Sequence, residues 1–304
     1  MKVLQLVNTP RSFFDKQVAV LESRGVDCTT LTVPGEHDTT QSRSLGDYLR
    51  YYPDVLGHAL DGYDVIHVHY GLLGPIALAQ PTCPVVLHLW GSDLMADDSF
   101  VPRLSRLSAR LSDAVIVPSG PMSDRLDVPH EVVPWGVDID QFRPEERERA
   151  RERLGWDADE TVVLFPYPPD RTVKNYPRAE RVVDALEADA TLRTMDGVPY
   201  ERVPDYMNAS DAVLVTSDRE SGPMVVKEAA ACDVPVVSTD VGFVRETLAD
   251  VTNSRICETE SELVAGLEAV LENGGRSDGR EHVDGLEWMG ANIEAVYRRV
   301  ADGT

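Results

Sequence analysis

The chain has 304 residues, 42% of them hydrophobic, and a formal net charge of −23. Such a charge argues against a nucleic-acid surface built on phosphate contacts, and no apolar run reaches the length that crosses a bilayer. Cys28, Cys83, Cys232 and Cys257 lie far apart and show neither zinc nor redox spacing, so they read as reduced, mostly buried thiols.

In chain order, Met1–Val7 reads as a first buried strand and not as a secretory leader, so a cytoplasmic location is expected. A helix over Asp15–Ser23, a strand over Val26–Val33 and a helix over Leu45–Leu60 come next. Asp64–His69 is a strand ending at Gly71, and its His67 and His69 read as core or loop-anchoring side chains. Val85–Leu89 is the next strand, then Trp90-Gly91-Ser92-Asp93, a helix over Leu104–Leu111 and a strand over Ala114–Val117. His88 has two readings, ligand-facing or core. Asp138 reads as a helix N-cap. Glu145–Leu154 is a solvated linker helix dense in Arg and Glu.

A second set of strands begins at Thr161–Phe165. A stiff Pro-rich turn then leads to a helix from Tyr176 to Leu186, with a short strand within Ala190–Gly197 and a short helix before Asn208. The helix over Glu260–Glu272 has one apolar face, and Leu286, Met289, Ile293, Val296 and Val300 form a last helical stripe. Lysine occurs only at Lys2, Lys16, Lys174 and Lys227 while carboxylates abound, a salt-adapted, halophilic composition.

The chemistry is expected between Asp211 and Ala231. An apolar strand runs into the polar turn Arg219-Glu220-Ser221, and Gly222-Pro223 opens a helix that ends near Cys232, before a strand over Val234–Ser238. A helix start offers unpaired N–H groups and a partial positive charge, which suits a phosphate. Gly222 would let the ligand approach the backbone. Glu228, about one turn inside, can reach sugar or ribose hydroxyls beside that phosphate. A phosphate next to a polyol describes a nucleotide sugar.

Glu220, seven residues, then Glu228 and the stretch to Gly242 resemble the E-x7-E signature of retaining glycosyltransferases of the GT-B fold, in the family 4-like (glycosyl transferases group 1) class. Asp64–Tyr70 is similar to that family's D-V-I-H-x-H stretch, Trp90–Asp93 to its H-G-S-D element, and Val132–Pro144 to its V-x-P-x-G-V-D-x-x-x-F-x-P hallmark. The resemblance implies two Rossmann-like α/β domains with parallel sheets facing a cleft. These are expected over 1–143 (acceptor side) and 144–285 (donor side), with 286–304 a helix returning toward the first. It implies donor binding by Glu228, Ser221, Gly222, Pro223, Met224 and Val225, and catalytic roles for Glu220, Lys174 and Arg171. Lys174 matches the family's lysine, whereas Pro169 stands where an arginine is expected and Arg171 is its nearest substitute. His88, Gly91, Asp93 and Gly136 fall on the acceptor side.

The implied activity is metal-independent, retaining hexosyl transfer from a nucleotide-sugar donor, with no cofactor. The acceptor, a glycan, a lipid-linked molecule or a small molecule, stays open, as does peripheral association with a membrane; the net charge of −23 argues against simple electrostatic docking on an anionic bilayer, although an acidic bulk can hide a local basic patch. A catalytically weak nucleotide-sugar-binding partner subunit is the rival reading: the Asn8–Ser12 loop has no glycine and the second domain looks trimmed. An epimerase of the same fold is a further rival. A dinucleotide dehydrogenase is not favoured, because no G-x-G-x-x-G comes after a strand.

Overall fold

The computed structural model describes residues 1–35, 45–96, 100–220 and 222–303. The chain forms two compact units, one of Met1–Trp135 with Leu286–Thr304 and one of Gly136–Gly285.

In the first unit the elements run β1 (Lys2–Val7), α1 (Ser12–Ser23), β2 (Asp27–Thr32), α2 (Leu45–Ala59), β3 (Val65–His69), α3 (Gly74–Leu78), β4 (Val85–His88), α4 (Ser92–Met95), α5 (Phe100–Leu111), β5 (Ala114–Val117), α6 (Gly120–Ser123) and β6 (Glu131–Val132). Six parallel strands lie in the order β2-β1-β3-β4-β5-β6. The central strands are buried on both faces; β5 is an uninterrupted apolar run, whereas β1, β3 and β4 carry Gln5, His67, His69 and His88 among their apolar residues. Leu4, Leu6, Ile66, Val68, Val85 and Leu87 pack in one core with Tyr51 and Val55 of α2. Gln5 pairs in register with His67, and His69 pairs with both Val7 and His88.

The second unit runs α7 (Arg147–Leu154), β7 (Val162–Phe165), α8 (Tyr176–Asp184), β8 (Thr191–Thr194), α9 (Val203–Ala209), β9 (Ala212–Val215), α10 (Met224–Ala231), β10 (Val236–Thr239), α11 (Val244–Leu248), β11 (Arg255–Cys257) and α12 (Glu260–Asn273). Its five parallel strands take the order β11-β10-β9-β7-β8. Thr259 and Glu262 close a reciprocal capping box at the start of α12. Where the chain enters and leaves this unit, Val137 bridges Gly285 in parallel and its N–H donates to the Asp284 carbonyl at 2.9 Å.

The final helix, α13 (Leu286–Asp302), packs with the first unit. Arg24, the residue after α1, pairs with its Glu294 at 2.8 Å, and Tyr297 reaches the central strands.

Three local expectations change. Pro223 precedes α10 with ψ 96° and so lies outside its first turn. The strand after α10 begins at Val236, because Val234 N–H donates to the Ala229 carbonyl and closes the helix end. Asp138 caps a turn, not a helix: its Oδ1 accepts from Gln141 N–H at 3.1 Å and its carbonyl from Phe142 N–H at 2.8 Å.

Candidate functional site

In the second unit, the loops that leave the C-terminal ends of β7 and β9 come together. In open α/β sheets ligands bind at such strand ends. Thr216 Oγ1 lies 3.0 Å from the carbonyls of Lys174 and Asn175, and Asp218 N–H donates to the Val173 carbonyl at 3.0 Å. Asn175, at φ 56°, donates from its side chain to Asp218 at 2.9 Å. These bonds hold Lys174 against the turn that carries Glu220.

Lys174 Nζ donates to Glu220 Oε1 and lies 4.0 Å from the centre of the Tyr167 ring. The same carboxylate oxygen accepts from Ser217 Oγ at 3.0 Å and from the Tyr167 hydroxyl at 3.4 Å. Lys174 is only 4% exposed, so this is a buried cation with a half-buried partner. Burial pushes its pKa down, and the Glu220 charge opposes that shift. Burial, then Glu220, holds the Tyr167 hydroxyl neutral, well above its ordinary range. Arg171 is exposed, yet close enough for its charge to act on Lys174.

Glu228 sits on the first turns of α10, 4% exposed, and accepts from the Tyr200 hydroxyl at 2.7 Å. Pro223 is buried, and Met224 and Val225 are half-buried at the helix start. Ser221 lies outside the described residues. Gly222 has a packing reason to be glycine: a Cβ there would meet the Phe243 ring at 2.1 Å. No motif or spacing points to the Tyr167, Ser217 and Tyr200 contacts. Tyr200 is 28 residues from Glu228 and no local periodicity links them.

Lys227, next to Glu228, is 3% exposed and its Nζ lies 5.0 Å from the Phe243 ring centre. Burial lowers its pKa to about 8, against the pull of Asp284 and Glu246. In the unfolded chain this lysine titrates near 10.5. The folded state therefore carries a desolvation cost below about pH 8 that vanishes above about 10.5. Against Lys227→Met as reference, the wild type is therefore expected to gain stability as pH rises from about 8 to about 10.5, because the folded lysine gives up its proton before the unfolded one does. Urea denaturation at pH 7 and pH 10 checks this.

In the first unit, Asp93 is fully buried and its carboxylate accepts from the N–H groups of Gly91 at 2.7 Å, Trp90 at 3.0 Å and Gly71 at 3.3 Å. It ties the loop after β4 to the loop after β3. Gly91 has φ 147°, a conformation that favours glycine. Gly136, at the entry to the second unit, is buried.

His88 is fully buried, stacks on Trp135 at 5.0 Å, and neither ring nitrogen has a hydrogen-bond partner among the described residues. Burial lowers its pKa to about 3, so it is neutral. His67 Nδ1 meets the Tyr297 hydroxyl at 2.5 Å and His69 Nε2 meets Gln5 Oε1 at 2.7 Å. These three histidines form the one group among the described residues whose ligand-type atoms are close enough to share a metal ion. No carboxylate joins them, and Phe14, Trp90 and Trp135 pack beside them. An ion there would lack a counter-charge, which is costly in a buried site.

Comparison with known proteins is consistent with this geometry. Residues 174–283 match the family model described as glycosyl transferases group 1, and residues 7–135 match the glycosyl transferase 4-like domain. A D-inositol 3-phosphate glycosyltransferase 1 from Catenulispora acidiphila is 26% identical, over 83% of this chain and 77% of its own length. A D-inositol 3-phosphate glycosyltransferase from Geodermatophilus obscurus is also 26% identical, over 81% of this chain and 68% of its own. Among solved structures, sucrose-phosphate synthase from Thermosynechococcus elongatus superposes with a TM-score of 0.82 at 15% identity, covering both chains completely. HepE from Anabaena, in complex with UDP-glucose, gives 0.71 at 16% identity, over 100% of this chain and 99% of its own.

Two Rossmann-like halves, each with a parallel sheet, thus define the GT-B fold. The two domain matches together span most of the chain, and the chain is a glycosyltransferase.

Proposed function

We propose that the enzyme transfers a hexosyl group, with retention of anomeric configuration, from a nucleoside-diphosphate sugar held on the second unit. The observation that carries this reading is the pairing of the buried Lys174 with Glu220 ahead of α10, with the buried Glu228 one turn inside that helix. A UDP-sugar is the proposed donor, since related folds hold UDP and UDP-glucose.

Lys174, aided by Arg171, offers positive charge to the diphosphate, as do the amides from Gly222 to Val225. Ser221 is assigned to the same cradle. Glu228 accepts from the ribose hydroxyls, with Tyr200 fixing its carboxylate. Glu220 positions Lys174 and faces the sugar. Stabilising the departing diphosphate lowers the barrier most. The acceptor hydroxyl attacks from the face the diphosphate leaves, and its proton passes to a diphosphate oxygen. This route asks for no nucleophile, cofactor or metal from the protein. Gly91, Asp93, Gly136 and His88 belong to the acceptor side, with Asp93 acting by holding the loop. The acceptor is a hydroxyl of a glycan, lipid-linked or small molecule, and the salt-adapted surface fits a concentrated cytoplasm.

A thermal-shift series with UDP, UDP-glucose and other nucleotide sugars, in high-salt buffer, tests the reading. A donor should raise Tm in the wild type. Glu228→Gln should weaken that donor about 10²-fold, the worth of hydrogen bonds to a charged group. Equal donor affinity in both proteins would remove Glu228 from the site.

A further inference from the structure

Helix α5 is built inside out. Its buried face is small and polar: Pro102, Ser105, Ser108 and Ala109. Those residues sit against glycines, for a Cβ at Gly71 would meet Ser105 Oγ at 1.8 Å and one at Gly74 would meet Ser108 Oγ at 2.4 Å. The large apolar side chains point the other way, with Phe100 71%, Leu107 51% and Leu111 62% exposed. A helix that only packed on a core would show the reverse.

The charges on this face are equally unusual. The helix carries Arg103, Arg106 and Arg110 and no acidic residue, in a chain whose net charge is −23. Arg103 and Arg110 are exposed. Arg110 pairs with the exposed Asp127 at 2.6 Å, and Arg106 Nε donates to the Arg125 carbonyl at 3.1 Å. Basic residues flanking exposed leucine and phenylalanine are the composition of a helix that lies in the plane of a membrane surface. Its 12 residues make it about 18 Å long, too short to span and long enough to lie flat.

We propose that the outer face of α5 docks on an anionic lipid bilayer, with Phe100, Leu107 and Leu111 in the headgroup boundary and Arg103 on lipid phosphates. The proposal rests on the transferase reading and narrows it to an acceptor carried in or at a membrane.

Vesicle flotation tests this, with the full chain and vesicles of phosphatidylglycerol and phosphatidylcholine in equal parts, against phosphatidylcholine alone. The wild type should float with the anionic vesicles. Leu107→Gln with Leu111→Gln should reduce binding at least about tenfold. Arg103→Gln should reduce it about fivefold at low salt and less as salt rises, while the leucine effect persists. Both leucines are exposed, so their replacement opens no cavity, and an unchanged UDP-glucose thermal shift verifies the fold. If the wild type does not bind anionic vesicles, or the leucine variant binds as well as wild type, the proposal is overturned. Light scattering that shows a dimer broken by the leucine substitutions would overturn it in favour of contact between copies. A wild type that binds vesicles but shows no shift with any nucleotide would count against the donor reading alone.

Discussion

Lys174→Ala is expected to lower kcat/KM for the donor about 10³-fold, which is about 4 kcal/mol of transition-state stabilisation. The side chain is 4% exposed, packed on the Tyr167 ring and paired with Glu220. A cation in that environment acts through little intervening water, so its loss weighs more than that of a surface lysine. Arg171 is exposed, and Arg171→Ala should cost much less. Lys174→Arg should not restore activity, because a larger planar group at a position only 4% exposed must displace its neighbours. Removal of Lys174 also strands a Glu220 carboxylate whose hydroxyl donors, among the described residues, are Ser217 and Tyr167. Glu220→Gln in the Lys174→Ala background separates that penalty: it should recover stability without recovering turnover. Initial rates over a donor concentration series, with urea midpoints beside them, read both outcomes.

Asp211→Ala is expected to destabilise the protein by about 3 kcal/mol, the cost of leaving the buried Arg151 without its carboxylate partner. Asp211 sits at the start of β9 and accepts from Arg147, from Arg151 Nη2 at 2.8 Å and from Val162 N–H at 2.6 Å. Arg151 is 4% exposed, and its other donors hold the carbonyls of Ala209 at 2.9 Å and Ala158 at 2.6 Å. One carboxylate therefore fastens α7 to β7 and β9, the strands whose C-terminal ends carry Lys174 and Glu220. Asp211→Asn keeps an acceptor for Val162 but loses the charge, so a smaller loss is expected. A urea midpoint that falls with unchanged slope would show it; an unchanged midpoint in Asp211→Ala would mean the arginines find water.

The strands of the second unit are legible in the sequence because a sheet covered on both faces needs uninterrupted apolar runs, and VVLF and AVLV are such runs. Helix α10 is legible from its alanines and the glycine and proline before it. The partners of the two glutamates are not. Tyr167 lies in a Pro-rich turn and Tyr200 beyond β8, and only the parallel pairing of β7 with β8 and β9 brings those segments near α10. Gly222 is glycine for Phe243, a contact between segments that sequence spacing cannot show. The face of α5 is illegible for a different reason. Periodicity shows that a helix has an apolar side, but here Gly71 and Gly74 decide which side is buried. For Asp138, the same side-chain acceptor serves a turn as readily as a helix, and only the conformation of residues 139–142 distinguishes the two.

Nucleoside diphosphate release from a panel of nucleotide sugars, in high salt, for the wild type and Glu228→Gln, asks directly whether the second unit holds and spends a donor. The wild type should release nucleotide from one class of donor, and the variant about 10²-fold less at the same donor concentration. Equal release by both proteins, or none from any donor by the wild type, would contradict a donor site built on Lys174, Glu220 and Glu228.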